Sequence, residues 1–268
     1  MATAALNMTQ PRRIQPPSAL LALTELPRAI AEWGSMAVSM GTLIATAPRG
    51  DGHPVLVLPG FMTSDTSTRV LRRFLRTLGY DAHTWNLGRN LGPRAIGQQG
   101  EKLVERLREV HEATGQKVSL VGWSLGGVMA RLLARRAPDH VRQVITLGSP
   151  FNGSPKSSNV WRLYEYMSGT AVDGQHTQGM IAEIAAPPSV PSTAIYTKGD
   201  GVVAWETCQE VESDTAENIE VHGSHCGLGV NPAVLYAVAD RLARKPGEQR
   251  RFDRRGFKSW MYPGAGNA

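Results

Sequence analysis

Residues 117–127, Lys-Val-Ser-Leu-Val-Gly-Trp-Ser-Leu-Gly-Gly, decide the fold. Val118, Leu120 and Val121 make a short apolar run, as in a strand buried inside a sheet. Gly122-Trp123-Ser124-Leu125-Gly126 comes next. Apolar residues then recur at Leu125, Val128, Met129, Leu132 and Leu133, one face of a helix. Strand, sharp turn and helix with a serine at the apex form an elbow that lifts the serine oxygen clear of a sheet edge. The backbone must turn within about one residue, which drives the serine to positive φ. Gly122 and Gly126 remove the Cβ atoms that would collide as strand and helix converge.

The same alternation extends to both sides. His53-Pro54 leads into Val55-Leu56-Val57-Leu58, a run apolar at every position and ended by Pro59-Gly60-Phe61. A helix is predicted over Ser67–Leu78, with Arg69, Arg72, Arg73 and Arg76 facing water and Gly79 closing it. A strand over Tyr80–Leu87 and a helix over Gly97–Thr114 precede the elbow, whose helix stops near Pro138. Further strands are predicted at Val141–Leu147, Thr193–Thr197 and Ile219–His222, and a last helix at Pro232–Arg244. Strands alternating with helices mean right-handed crossovers: an α/β fold with a mostly parallel sheet of about six strands flanked by helices.

The rhythm breaks at residues 151–191, an insert rich in Gly, Ser and Pro with helices predicted near Ser158–Met167 and Gln178–Ala185. Upstream, Leu26, Ile30, Trp33, Ala37, Met40 and Ile44 line one helical face, with Thr24 as cap and Pro27 in the first turn. That face fits a helix packed on the core or one bordering the mouth of a site. The chain thus divides into an N-terminal extension (1–50), a main domain (51–245) and a basic tail (246–268).

At 268 residues and 41% hydrophobic, the chain can bury one large core. No apolar run approaches the length of a membrane span, and Ala19–Leu23 is too short for a secretory core, so the default expectation is cytoplasmic. The net charge of +6 equals the surplus between Arg241 and Lys258, where eight basic residues face only Glu248 and Asp253. A solvated basic tail is expected, with weak attraction to a membrane surface as the alternative. No groove-reading motif is present, so nucleic acid is not expected as a partner.

A serine hydroxyl needs a base. The elbow resembles that of the α/β-hydrolases, whose partners follow in the chain order serine, acid, histidine. That resemblance would exclude His53, His83 and His111, while His140 and His176 precede the candidate acid. His225, on the glycine-flanked loop Val221-His222-Gly223-Ser224-His225-Cys226-Gly227, is the favoured base, and His222 its rival. Asp200 in Lys198-Gly199-Asp200-Gly201 ends a predicted strand and is placed to orient the imidazole. Asp173 and Asp214 are weaker candidates, and an Asp-Gly pair also fits a simple turn. The backbone N–H groups of Phe61 and Leu125 are the candidate oxyanion donors.

These stretches, Pro59-Gly60-Phe61, Gly122–Gly127, Gly199–Val203 and Gly223–Leu228, together resemble the α/β-hydrolases, and within them small bacterial lipases and esterases, over about residues 50–244. The elbow begins with Gly122 where the small Bacillus-type lipases usually have alanine, and the His-Gly-Gly-Gly loop of another esterase branch is absent. The resemblance implies a serine carboxylic-ester hydrolase with an acyl-enzyme on Ser124, no cofactor and no metal, acting on small-molecule or lipid esters. Acyl transfer with the same triad, or a non-catalytic binding protein on the same fold, are the alternatives. It further implies that the insert is a cap. Val160, Trp161, Tyr164, Met167, Met180, Ile181 and Ile184 would form its underside, and Trp123, Trp161 and Tyr164 would border the substrate. Cys208 and Cys226 could form a disulfide pinning the histidine loop. Activity should decline as His225 protonates, near pH 6–7.

Overall fold

The elbow sits at the centre of the sheet. The computed structural model describes residues 14–169 and 175–263, apart from the side chains of residues 155, 175–178, 180 and 257. Helix α1 (Ala19–Thr46) leads into β1 (Pro54–Leu58), α2 (Arg69–Thr77), β2 (Asp81–Thr84), the single turn α3 (Pro93–Ile96) and α4 (Glu101–Thr114). Then come β3 (Val118–Trp123), α5 (Leu125–Arg136), β4 (Val141–Leu147), α6 (Trp161–Ser168), α7 (Gln175–Ala185), β5 (Ser192–Tyr196), β6 (Ala216–Glu220) and α8 (Pro232–Leu242). All six strands are parallel, in the order β2-β1-β3-β4-β5-β6.

Alternation explains the two layers. Val55 and Val57 point into a core shared with α1, α2 and α8, while Leu56 and Leu58 point into one shared with α4 and α5. A central strand with both faces covered reads as apolar throughout, as the sequence of β1 shows. The strand order reverses between β1 and β3, so the loops leaving their carboxyl ends meet at a crevice.

Several boundaries differ from the sequence pattern, each for a local reason. Helix α1 begins at Ala19, capped by the Ser18 hydroxyl accepting from Leu21 N–H at 3.3 Å, so Ala19–Leu23 are its first turn and Pro27 lies inside it. The helix predicted over residues 97–114 begins at Glu101, because Gly97 and Gly100 take φ of 89° and 72°. Strand β2 stops at Thr84, since the N–H groups of Trp85 and Asn86 turn to the Asp65 carboxylate at 3.0 and 3.1 Å. Arg72, expected in water, is buried and donates to the Asp65 carbonyl at 2.6 Å.

Arginines also close the sheet. At the β2 edge, Arg76 donates to Ala82 O at 3.0 Å and Arg106 to Thr84 O at 3.0 Å. At the β6 edge, Arg251 donates to Ala216 O at 3.0 Å and Arg254 to Asn218 O. The C-terminal segment is therefore not a solvated tail: Phe252 and Tyr262 are buried, and the Tyr262 hydroxyl donates to Ala233 O at 2.9 Å. Two of its arginines, Arg251 and Arg254, are spent on the carbonyls of an edge strand. Among the described residues, no helix is long and apolar enough to cross a membrane.

Candidate active site

β3 ends at Trp123 and α5 starts at Leu125, so Ser124 alone makes the turn, at φ 53° and ψ −123°. A Cβ on Gly122 would overlap the backbone of Gly126 and Gly127, and one on Gly126 would overlap the Leu58 carbonyl. Both positions thus require glycine for close approach. Gly60 differs: a Cβ there would meet Ser124 Cβ at 3.5 Å, an ordinary contact.

The loops after β5 and β6 carry the other two side chains to the same edge. His225 Nε2 lies 3.0 Å from Ser124 Oγ, and His225 Nδ1 lies 2.6 Å from Asp200 Oδ2. Asp200 Oδ1 accepts from the N–H groups of Val202 and Val203, each at 2.8 Å. The Asp-Gly turn and the orienting carboxylate are one and the same, with one oxygen holding the loop and the other facing the ring. Asp200 and His225 are both buried, while Ser124 is half-buried. His222 is exposed and Asp214 is exposed; Asp173 and the His176 side chain lie outside the described residues.

Phe61 and Leu125 flank Ser124, and among the described residues neither N–H has a backbone or side-chain acceptor. A residue the sequence did not single out shapes this corner. Asn90, fully buried, donates from Nδ2 to Pro59 O at 2.8 Å, and its backbone carbonyl accepts from Met62 N–H at 2.8 Å. Met62 takes φ 61°, which turns the chain beside Phe61. A single asparagine in an irregular loop carries no pattern by which it could have been found.

A cavity of about 160 Å³ opens beside Ser124. Phe61, Leu125 and Met129 form its floor side, and Val160, Trp161, Tyr164, Ile181 and Ile184 come from the insert. The Phe61 and Tyr164 rings lie 5.3 Å apart. Met167 does not line the cavity, and the Met180 side chain lies outside the described residues. Trp123 does not line it either: its indole N–H donates to the His225 carbonyl at 3.1 Å, supporting the histidine loop from behind.

A family model described as the alpha/beta hydrolase fold matches residues 54–178. The chain belongs to the α/β-hydrolase superfamily. Its sequence is 30% identical over 214 residues to a triacylglycerol lipase of Burkholderia plantarii, covering 70% of this chain and 60% of that one. A triacylglycerol lipase of Pseudarthrobacter phenanthrenivorans is 31% identical over 183 residues, covering 59% and 57%. The chain thus spans about three-fifths of the length of these curated relatives. Among solved structures, Aspergillus fumigatus lipase B superposes with a TM-score of 0.58 at 18% identity, covering 78% of this chain and 57% of that one. Paleococcus ferrophilus monoacylglycerol lipase gives 0.53 at 14% identity, covering 72% and 96%. At such identities these two matches speak for the fold.

In this α/β hydrolase, Cys208 and Cys226 are free thiols, so the bridge raised from the sequence is not formed. Cys208 is buried against Tyr196 and Val203, while the backbone N–H of Cys226 is held by the Glu25 carboxylate at 3.1 Å. Burial, then the Glu25 charge, raises the Cys226 thiol to about 11. Burial lowers the pKa of the His225 imidazole, but the Asp200 carboxylate, by charge and hydrogen bond, and then Glu25 outweigh it. The net shift is upward.

This α/β hydrolase holds a second chain of the same residue types at the opposite end of the sheet. His53 Nε2 lies 2.9 Å from Ser119 Oγ and its Nδ1 contacts Asp51. Ser119, however, is a fully buried strand residue that also receives Gln143 Nε2 at 3.4 Å. Burial, only partly offset by Asp51, lowers the His53 pKa. Ser119 thus lacks the exposed elbow position that Ser124 occupies.

Proposed function

We propose that the chain is a serine carboxylic-ester hydrolase. The reading rests on one observation: the Asp200–His225–Ser124 chain opens onto an apolar cavity, beside two backbone N–H groups without an acceptor among the described residues. Ser124 Oγ attacks the ester carbonyl while His225 Nε2 takes its proton. The oxyanion rests on the N–H groups of Phe61 and Leu125, at the start of α5 where the helix dipole also favours negative charge. Collapse expels the alcohol, which takes the proton from His225. Water then attacks the acyl-enzyme with His225 again as base, and the acid leaves. The relatives named triacylglycerol lipases support ester substrates with apolar acyl chains.

Labelling by a fluorophosphonate probe tests the reading: the label is expected on Ser124, and an unlabelled protein that cleaves no ester from acetyl to palmitoyl would overturn it. Neutral His225 is the active form, so kcat/KM should rise with pH as the proton leaves. Because the His225 pKa is raised from its usual 6.5, the midpoint of that acid limb is expected above 6.5. A limb centred at or below 6.5 would contradict the field assigned to Asp200. Tyr164→Ala is expected to raise KM more for long-chain than for acetyl esters, because Tyr164 closes one wall of the cavity. An equal change for both would exclude it from the acyl pocket.

A further inference from the structure

Helix α1 carries its charges on the wrong side for a surface helix. Glu25, Arg28 and Glu32 are its only charged residues, and all three reach into the protein, while Leu20, Leu23, Leu26, Ile30 and Val38 face solvent. Amphipathic helices normally do the reverse. Burying a carboxylate is unfavourable unless it is fully hydrogen-bonded, so the destination of each bond carries information.

Every acceptor bond from these glutamates, apart from the Arg28 pair and Asn231, goes to two loops. Glu25 Oε1 accepts from Gly201 N–H at 2.7 Å and from His225 N–H at 3.1 Å, and Oε2 accepts from Cys226 N–H at 3.1 Å. One carboxylate therefore bridges the loop of Asp200 to the loop of His225. Glu32 accepts from Ser224 N–H at 2.7 Å, from the Ser224 hydroxyl at 2.6 Å and from Asn231 Nδ2 at 2.8 Å. Arg28 is paired to Glu25 at 3.0 Å and donates to the carbonyls of Gly199 and Gly223 at 2.5 and 3.1 Å. The glycines of the two loops make room for this docking. A Cβ on Gly201 would overlap the Leu21 carbonyl of α1, and one on Gly227 would overlap the Glu32 carboxylate.

We infer that α1 is a positioning element of the active site, in which Glu25, with Arg28 and Glu32, sets the spacing of the Asp200 and His225 loops and so holds the imidazole against Ser124. The inference rests on the catalytic reading of that chain. None of the three touches the reacting atoms; each acts through backbone groups. The charged or titratable groups facing His225 are Asp200 from the loop after β5, Ser124 from the elbow, Glu25 and Arg28 from α1, and the neighbouring Cys226 thiol. Asp200 and Glu25 favour the imidazolium, and Arg28 offsets part of the Glu25 charge.

Glu25→Gln keeps the shape and one acceptor but removes the charge and one amide contact. The expected result is a kcat lower by about 10²-fold, with KM within about twofold, the size expected for a small displacement remote from the bond being broken. The NMR titration of the His225 ring, followed in a Ser124→Ala background, should move to lower pH. A folded Glu25→Gln protein with unchanged kcat and unchanged titration would overturn the inference. Should that variant not fold, Glu32→Gln decides: a fall in kcat at constant KM supports positioning, and an unaltered kcat rejects it. The titration separates the two ideas. A wild-type protein without esterase activity removes the catalytic reading, whereas a shifted His225 titration still demonstrates that Glu25 acts on that ring.

Discussion

Ser124→Ala is expected to lower kcat for p-nitrophenyl butyrate by about 10⁶, with the protein still folded. The size follows from the division of labour. On the proposed mechanism no acyl-enzyme forms without Oγ, and what remains is the assistance of the oxyanion donors and of binding, about 10³–10⁴ over water. Stability should hardly change. The Ser124 side chain caps no helix N–H, and among the described residues its Oγ bonds only to His225, in a half-buried position. Alanine is no easier to hold at φ 53° than serine, so the strain of the elbow persists. Initial rates and a thermal melt check both halves together. A folded variant that hydrolyses the ester normally would remove Ser124 from the mechanism.

The largest expected loss of stability lies elsewhere, at Arg131. This side chain of α5 is fully buried, paired with buried Glu210, and donates to the carbonyls of Ile184 and Ala186 at 2.8 and 3.1 Å. Its guanidinium also stacks 3.9 Å above the Phe151 ring. One residue thus ties the elbow helix to the end of α7, and with it one wall of the cavity. Arg131→Met leaves Glu210 as an uncompensated buried charge and orphans the carbonyls, a loss of about 3–5 kcal/mol. Replacing Glu210 by leucine as well should recover much of that, because an apolar pair carries no desolvation penalty. Denaturant unfolding of the single and double variants measures both. A single variant within about 1 kcal/mol of wild type would contradict the role given to the pair.

The sequence made the sheet legible because β1 is apolar at every position, β3 and β4 are largely apolar, and α2, α4 and α5 keep helical spacing. Ser124, Asp200 and His225 could be chosen by chain order and by glycine-flanked loops, without any knowledge of distance. What stayed hidden has a common cause. Charges on an amphipathic segment are normally read as facing water, so Glu25, Glu32, Arg72 and Arg131 gave no sign that they point inward. Asn90 works through its own amide and one backbone turn, which no spacing rule records. Cys208 and Cys226 are close enough in the chain to suggest a bridge, and only coordinates reveal that one is buried beside Tyr196 while the other stands exposed. The basic surplus misled for a related reason. Composition counts guanidinium groups but not the carbonyls that already occupy them.

Those carbonyls bear on how the molecule behaves among its own kind. An open parallel sheet ends in two rows of unsatisfied peptide groups, each a template on which a strand of a neighbouring chain can register. Here Arg76 and Arg106 occupy one row and Arg251 and Arg254 the other, alternate carbonyl by alternate carbonyl. A bulky, permanently charged donor fills the seat that a foreign amide would take.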